Sequence, residues 1–143
     1  MRMLILRLVL ATCSLGVTLP ASAGDLVSTA RQYIGGNPTG KHSLWCGNFM
    51  NFVLERAGFS KSGSNESLSF AHYGRRIAGP QVGAIAVMRR KGGGHVGVVS
   101  AIDANGNPVI ISGNHGRRGK GGPRVVGESV YPRSRIVAYV LPR

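Results

Sequence analysis

Residues 45–58 read Trp45-Cys46-Gly47-Asn48-Phe49-Met50-Asn51-Phe52-Val53-Leu54-Glu55-Arg56-Ala57-Gly58, and the rest of the chain takes its order from this stretch. Phe49, Phe52, Val53 and Ala57 recur at helical spacing, and Gly58 stands where a helix C′ residue belongs. Cys46 therefore lies at or just before the first turn of a helix. On the N-terminal side, Asp25 can cap a helix over Leu26–Ile34, with Leu26, Val27, Ala30, Tyr33 and Ile34 on one face. Gly35-Gly36 stop it. On the C-terminal side, Glu66–Tyr73 predicts a short third helix ended by Gly74. The pattern then changes. Ala84–Met88, Val96–Ile102, Pro108–Ser112, Val125–Val130 and Ile136–Leu141 are short β-branched runs bounded by Gly, Asn-Gly or Pro. Helices first and strands second make an α+β order, with N-terminal helices packed on a mostly antiparallel sheet of about five strands.

The 143 residues suit one domain, with 43% hydrophobic residues arguing against wholesale disorder. Eighteen Lys and Arg stand against five Asp and Glu, a formal charge of +13. Such a balance favours acidic partners without naming one. The two Cys exclude a disulfide-rich scaffold and a Cys-based zinc finger. His42, His72, His95 and His115 lack metal-ligand spacing, and the glycine runs lack a phosphate-loop setting, so neither metal nor cofactor is expected.

Residues 1–23 read as a secretory signal. Arg2 and Arg7 supply the positive start, Leu8–Val17 is mostly apolar, and Ala21-Ser22-Ala23 places small residues where a signal peptidase cuts. Cleavage after Ala23 is expected, leaving residues 24–143 as a single secreted or periplasmic domain. The exported chain then keeps one cysteine, Cys46. An unpaired cysteine in an oxidising compartment is a liability unless it is buried or used.

Both uses of Cys46 are open at this level. Free cysteines are often buried structural residues. A helix N-terminus also favours a thiolate, and its free N–H groups can hold an oxyanion. His95 supplies a base of suitable type. It follows Gly92-Gly93-Gly94, opens a strand, and shares a face with Gly97 and Val99, with Gly97 leaving space beside the imidazole. Asn114 ends the next strand. About equally far from the Asn105-Gly106 turn, His95 and Asn114 should be cross-strand neighbours, so Asn114 can orient the imidazole. It reads equally well as a turn residue. His115 would face the other way if the strand continued regularly.

Trp45-Cys46-Gly47-Asn48-Phe49, Gly94-His95-Val96-Gly97-Val98-Val99, Ser112-Gly113-Asn114 and Tyr131-Pro132-Arg133-Ser134-Arg135-Ile136 together resemble the CHAP group of papain-like cysteine hydrolases, in its small bacterial exported or phage-associated branch. The resemblance implies a papain-like α+β fold and cleavage of amide bonds in bacterial cell-wall peptidoglycan. It carries nucleophile to Cys46, base to His95 and orienting residue to Asn114. Trp45 and His115, each next to one of these residues in sequence, are expected as substrate-binding positions. This chain has His115 where relatives often carry Gln, Gly47-Asn48 where Ala and another small or polar residue are common, and an unusually basic loop over 115–124.

A reading from another class is a catalytically silent, basic secreted protein that binds anionic envelope polymers. Arg75-Arg76, Arg89-Arg90-Lys91 and Arg117-Arg118-Lys120 are its candidate patches. Nucleic acid is not expected, because no aromatic platform interleaves the basic residues. A monomer is expected.

Overall fold

The computed structural model describes residues 21–116 and 121–143. Two helices come first, α1 (Ala23–Arg31) and α2 (Cys46–Arg56), followed by a 3-10 segment over Ser67–His72. Six strands follow, β1 (Arg75–Ile77), β2 (Ile85–Arg90), β3 (Gly93–Ile102), β4 (Pro108–His115), β5 (Val125–Val130) and β6 (Ile136–Leu141). They form one sheet in the order β1-β6-β2-β3-β4-β5, with every neighbouring pair antiparallel. This is the expected α+β architecture.

The additional strand is β1. Three residues, two of them Arg, carry no alternation that a sequence pattern can register. It exists because β6 offers a ladder, pairing Arg75 with Leu141 and Ile77 with Tyr139. Its charged, exposed residues suit a sheet edge, where they discourage pairing with another chain.

The helices differ from expectation at their ends. Ser22, not Asp25, is the N-cap of α1. Asp25 occupies the third helical position and bonds back to the Ser22 backbone N–H at 2.9 Å, completing a capping box. The expected signal-peptide cleavage point after Ala23 thus lies just inside α1, beyond its cap. Residues 1–20, which carry most of that signal, fall outside the described residues. The helix ends at Arg31, and Ile34 instead forms a parallel bridge with Val126. At the other end of α2, Phe59 N–H donates to the Leu54 carbonyl and Gly58 N–H to Glu55, with Gly58 at φ 86°. That is a Schellman closure, and glycine meets its left-handed backbone at no steric cost.

The sheet is buried on both faces. Phe49, Val53 and Leu54 of α2 and Leu26 of α1 pack with Val87, Val96, Val98 and Ile111 on one face. Ala86, Met88, Val99, Ile110 and Tyr139 make a second cluster on the other, with Tyr131 and Ile136 against it. Val96 and Val98 therefore look toward α2, and Val99 looks away. Alternation makes His95 an outward residue of the same set as Val99.

Two glycines set close approaches, one between α2 and the sheet and one between β3 and β4. A Cβ at Gly113 would stand 2.6 Å from Phe49 Cβ and 2.7 Å from the Trp45 ring. A Cβ at Gly97 would stand 2.5 Å from Ile110 Cγ2 and 2.9 Å from Ser112 Cβ. The room at Gly97 is thus filled by β4 and is not free space beside the imidazole. Gly113→Ala should lower stability by about 1–3 kcal/mol through overpacking, read as a fall in the urea midpoint. Gly121→Ala meets nothing within 4 Å and should leave the midpoint unchanged. Equal midpoints for the two variants would show that α2 can lift off β4 at no cost.

Candidate active site

Cys46 is the first residue of α2, as the apolar spacing predicts, and is 2% exposed. Trp45 occupies the N-cap without a side-chain cap bond, so no side chain takes the first-turn N–H groups. The sulfur is hydrogen-bonded to Ser67, with 3.0 Å between Sγ and Oγ. Ser67 is held in turn by the 3-10 segment, whose N-cap Glu66 accepts from Leu68 N–H and Ser69 N–H. Cys46 lines a cavity of about 210 Å³ with Leu44, Asn65, Ser67, Arg90 and the Gly92–Gly94 turn. Leu44 holds this mouth with a positive φ of 54° while 74% exposed. A left-handed Leu that buries almost nothing is strained without a packing reason.

His95 is 4% exposed and opens onto a second cavity, of about 450 Å³. Its Nε2 lies 2.9 Å from Ser112 Oγ, and its Nδ1 has no partner. The imidazole is held neutral, with a pKa lowered to about 3, first by burial and then by the positive charges of Arg90, His115, Arg135 and Arg124. The Tyr131 ring packs 6.1 Å from it. Tyr131 also packs against the cluster on the sheet face turned away from α2.

The structure therefore brings His95 and Asn114 into one cavity and leaves Cys46 in the next. Among the described residues no hydrogen bond joins the sulfur to the imidazole. Arg90 lines both cavities.

Asn114 is 3% exposed, and its Oδ1 has no partner. The register set by Val98 opposite Ile111 points His95 toward Asn114 three steps beyond that pair. Yet the imidazole bond goes to Ser112, not to Asn114. Asn114 also has the left-handed backbone of a turn residue, φ 55°, inside a bulge between Ser112 and His115. Asn tolerates that conformation better than most residues. The same bulge corrects the expectation for His115. It resets the alternation, so His115 lines the His95 cavity and meets Ser129 Oγ at 2.9 Å. Trp45 is fully buried against Phe49 and Gly113, and so offers no surface to a substrate. Its side chain sets the seat of α2.

Ser67 and Ser112 were not singled out by sequence. A serine in a polar loop and a serine in a strand are ordinary, and only the fold shows what each touches. The signal for Ser112 was present in part, since it precedes Gly113-Asn114 on the strand facing His95. Residues 117–120 of the basic loop fall outside the described residues.

The CHAP domain profile matches residues 35–114, more than half of the chain. A solved structure titled as the crystal structure of a wild-type endolysin, LysIME-EF1, shares the fold with a TM-score of 0.65 at 12% identity. The alignment covers 84% of this chain and 63% of that one, so the present chain spans less than two thirds of the endolysin. None of the curated proteins matches. The matched segment starts at the end of the first helical region and ends at Asn114, taking in Cys46, His95 and the glycines that seat them. The chain belongs to the CHAP domain family.

Proposed function

We propose that the protein hydrolyses amide bonds in peptidoglycan peptides with Cys46 as nucleophile and His95 as base. What carries the reading is the family match across residues 35–114, together with Cys46 as the opening residue of a helix. The attacked carbonyl carbon bonds to sulfur, and the first-turn N–H groups of α2 receive the oxyanion. With Nε2–H donated to Ser112 Oγ, Nδ1 keeps the lone pair that accepts the thiol proton. That proton passes to the leaving amine, and a water deprotonated at the same nitrogen releases the acyl group. Ser112 is the direct positioning residue in this scheme, and Asn114 closes the cavity beside it. The sulfur must leave Ser67 for the reaction. The Gly92–Gly94 turn, which leads into His95 and borders Ser67, is the segment whose adjustment brings the ring to it. Secretion or residence in the periplasm belongs to the same proposal and rests on residues 1–23.

One observation favours a second reading. Cys46 and His95 each have a serine partner and line separate cavities, as suits a catalytically silent protein that binds anionic envelope polymers.

Digestion of purified peptidoglycan separates the two. The wild-type chain should release new amine termini, visible by mass spectrometry of the fragments. Cys46→Ala should abolish release while keeping the thermal melt. Ser112→Ala should lower kcat with little change in KM, because it frees the imidazole without touching substrate. No new amine termini from the wild type would leave the binding reading.

The depressed pKa of His95 also sets a pH dependence. The unfolded chain binds a proton at this residue below its ordinary value of 6.5, whereas the folded chain does so only near 3. Between those values folding excludes a proton, so stability falls as pH falls, by up to about 1.4 kcal/mol per pH unit from this residue. His95→Gln should flatten that part of the stability curve in urea titrations at pH 4 to 7. An unaltered slope would place the responsible group elsewhere.

A further inference from the structure

The larger cavity is walled by positive charge. Arg90, Arg124 and Arg135 line it beside His95 and Asn114. Arg135 is held over the Tyr131 ring at 5.6 Å, and Arg124 donates to the Asn114 carbonyl at 3.5 Å. Neither contact neutralises a guanidinium.

The chain has five Asp and Glu side chains, and each is engaged elsewhere. Asp25 serves the α1 capping box, and Glu66 caps the 3-10 segment. Asp103 accepts from Asn105 and Asn107 in the β3–β4 turn. Glu55 pairs with Lys61, and Glu128 pairs with Arg31. No carboxylate is left for the three arginines, which converge on one concavity with no counter-charge from the protein. Arginine forks match planar or tetrahedral oxyanions in two-bond geometry.

We propose that this cavity is an anion subsite that takes a free carboxylate of the same peptide whose amide bond reaches Cys46. The inference rests on the hydrolase reading for its choice of ligand. Arg90 lines both cavities, so a ligand seated among the arginines continues past it to the sulfur. A peptide can present both groups, an amide to Cys46 and a carboxylate to the arginines. A phosphodiester polymer offers an oxyanion for the arginines but no amide for the thiol. The substrate class is therefore a peptide with a free carboxylate close to the scissile amide, and its amidated counterpart is the disfavoured analogue.

The test uses the full chain and two ligands, N-acetyl-alanyl-alanine and its C-terminal carboxamide, titrated by calorimetry at fixed ionic strength. The acid should bind at least about tenfold more tightly than the amide, the ratio one lost charge-assisted contact produces. Arg124→Gln and Arg135→Gln, both at exposed positions, should erase the difference while the thermal melt holds. The kinetic arm compares peptidoglycan fragments with free and amidated carboxylates, and kcat/KM should follow the same order. Equal affinity for acid and amide overturns the subsite, whether or not amide bonds are cut. Tighter binding of inorganic phosphate than of the acid overturns the choice of carboxylate. A chain that binds the acid in an arginine-dependent way yet cuts nothing supports the subsite and overturns the hydrolase reading.

Discussion

The seating of α2 on Gly113 fixes where Cys46 stands. With hydrogen in place of a side chain at that position, Phe49 and the Trp45 ring come down onto β4. The first residue of α2 is then Cys46, buried at the helix N-terminus beside the 3-10 segment. A methyl group there would lift the N-terminal turn and carry the sulfur away from Ser67. The burial of Trp45, costly because its Nε1 has no partner, has its offset in this contact. One glycine thus links the strand that carries Asn114 to the helix that carries the thiol.

The apolar periodicity of 45–58 was enough to place Cys46 at a helix start, because seven buried positions of α2 leave little choice of face. The β-branched runs marked five of the six strands, since each is a short apolar run bounded by Gly, Asn-Gly or Pro, as suits strands buried on both faces. What sequence could not supply depended on partners remote in the chain. Strand β1 needs the ladder of β6, and the α1 cap needs the Ser22–Asp25 exchange instead of either residue alone. The bulge between Ser112 and His115 has no compositional mark beyond Gly113-Asn114, yet it decides which histidines share a cavity. Alternation placed His95 with Gly97 and Val99, as the structure has it. The location of that face relative to α2 is a property of the whole sheet, and it puts His95 and Cys46 in different cavities that share Arg90 as a lining residue.

The charge balance of the sequence acquires a location in the fold. An excess of Lys and Arg distributed evenly would serve solubility alone. Here the few carboxylates are drawn into caps, turns and surface pairs, each of which satisfies a local backbone or side-chain demand. The wall of the His95 cavity is left positive by subtraction. Its arginines need no dedicated motif, only the absence of any acid within reach.

That positive wall also bears on His95, the base of the proposed reaction. Burial is the largest cause of the lowered His95 pKa, and the arginines and His115 add to it. A neutral imidazole can accept a proton, but one with so low a pKa is a weak base and a strong acid. In the proposed reaction it takes the thiol proton reluctantly and surrenders it readily to a leaving amine. A carboxylate bound among Arg90, Arg124 and Arg135 would offset the charges that disfavour the imidazolium, leaving burial as the main remaining cause. Under the subsite proposal the peptide that fills the cavity therefore strengthens the base that acts on it. An amidated peptide leaves the field of the arginines in place, so discrimination arises in the proton transfer as well as in binding. The cavity wall and the base then act as one electrostatic unit, with the substrate supplying the negative charge that the chain withholds.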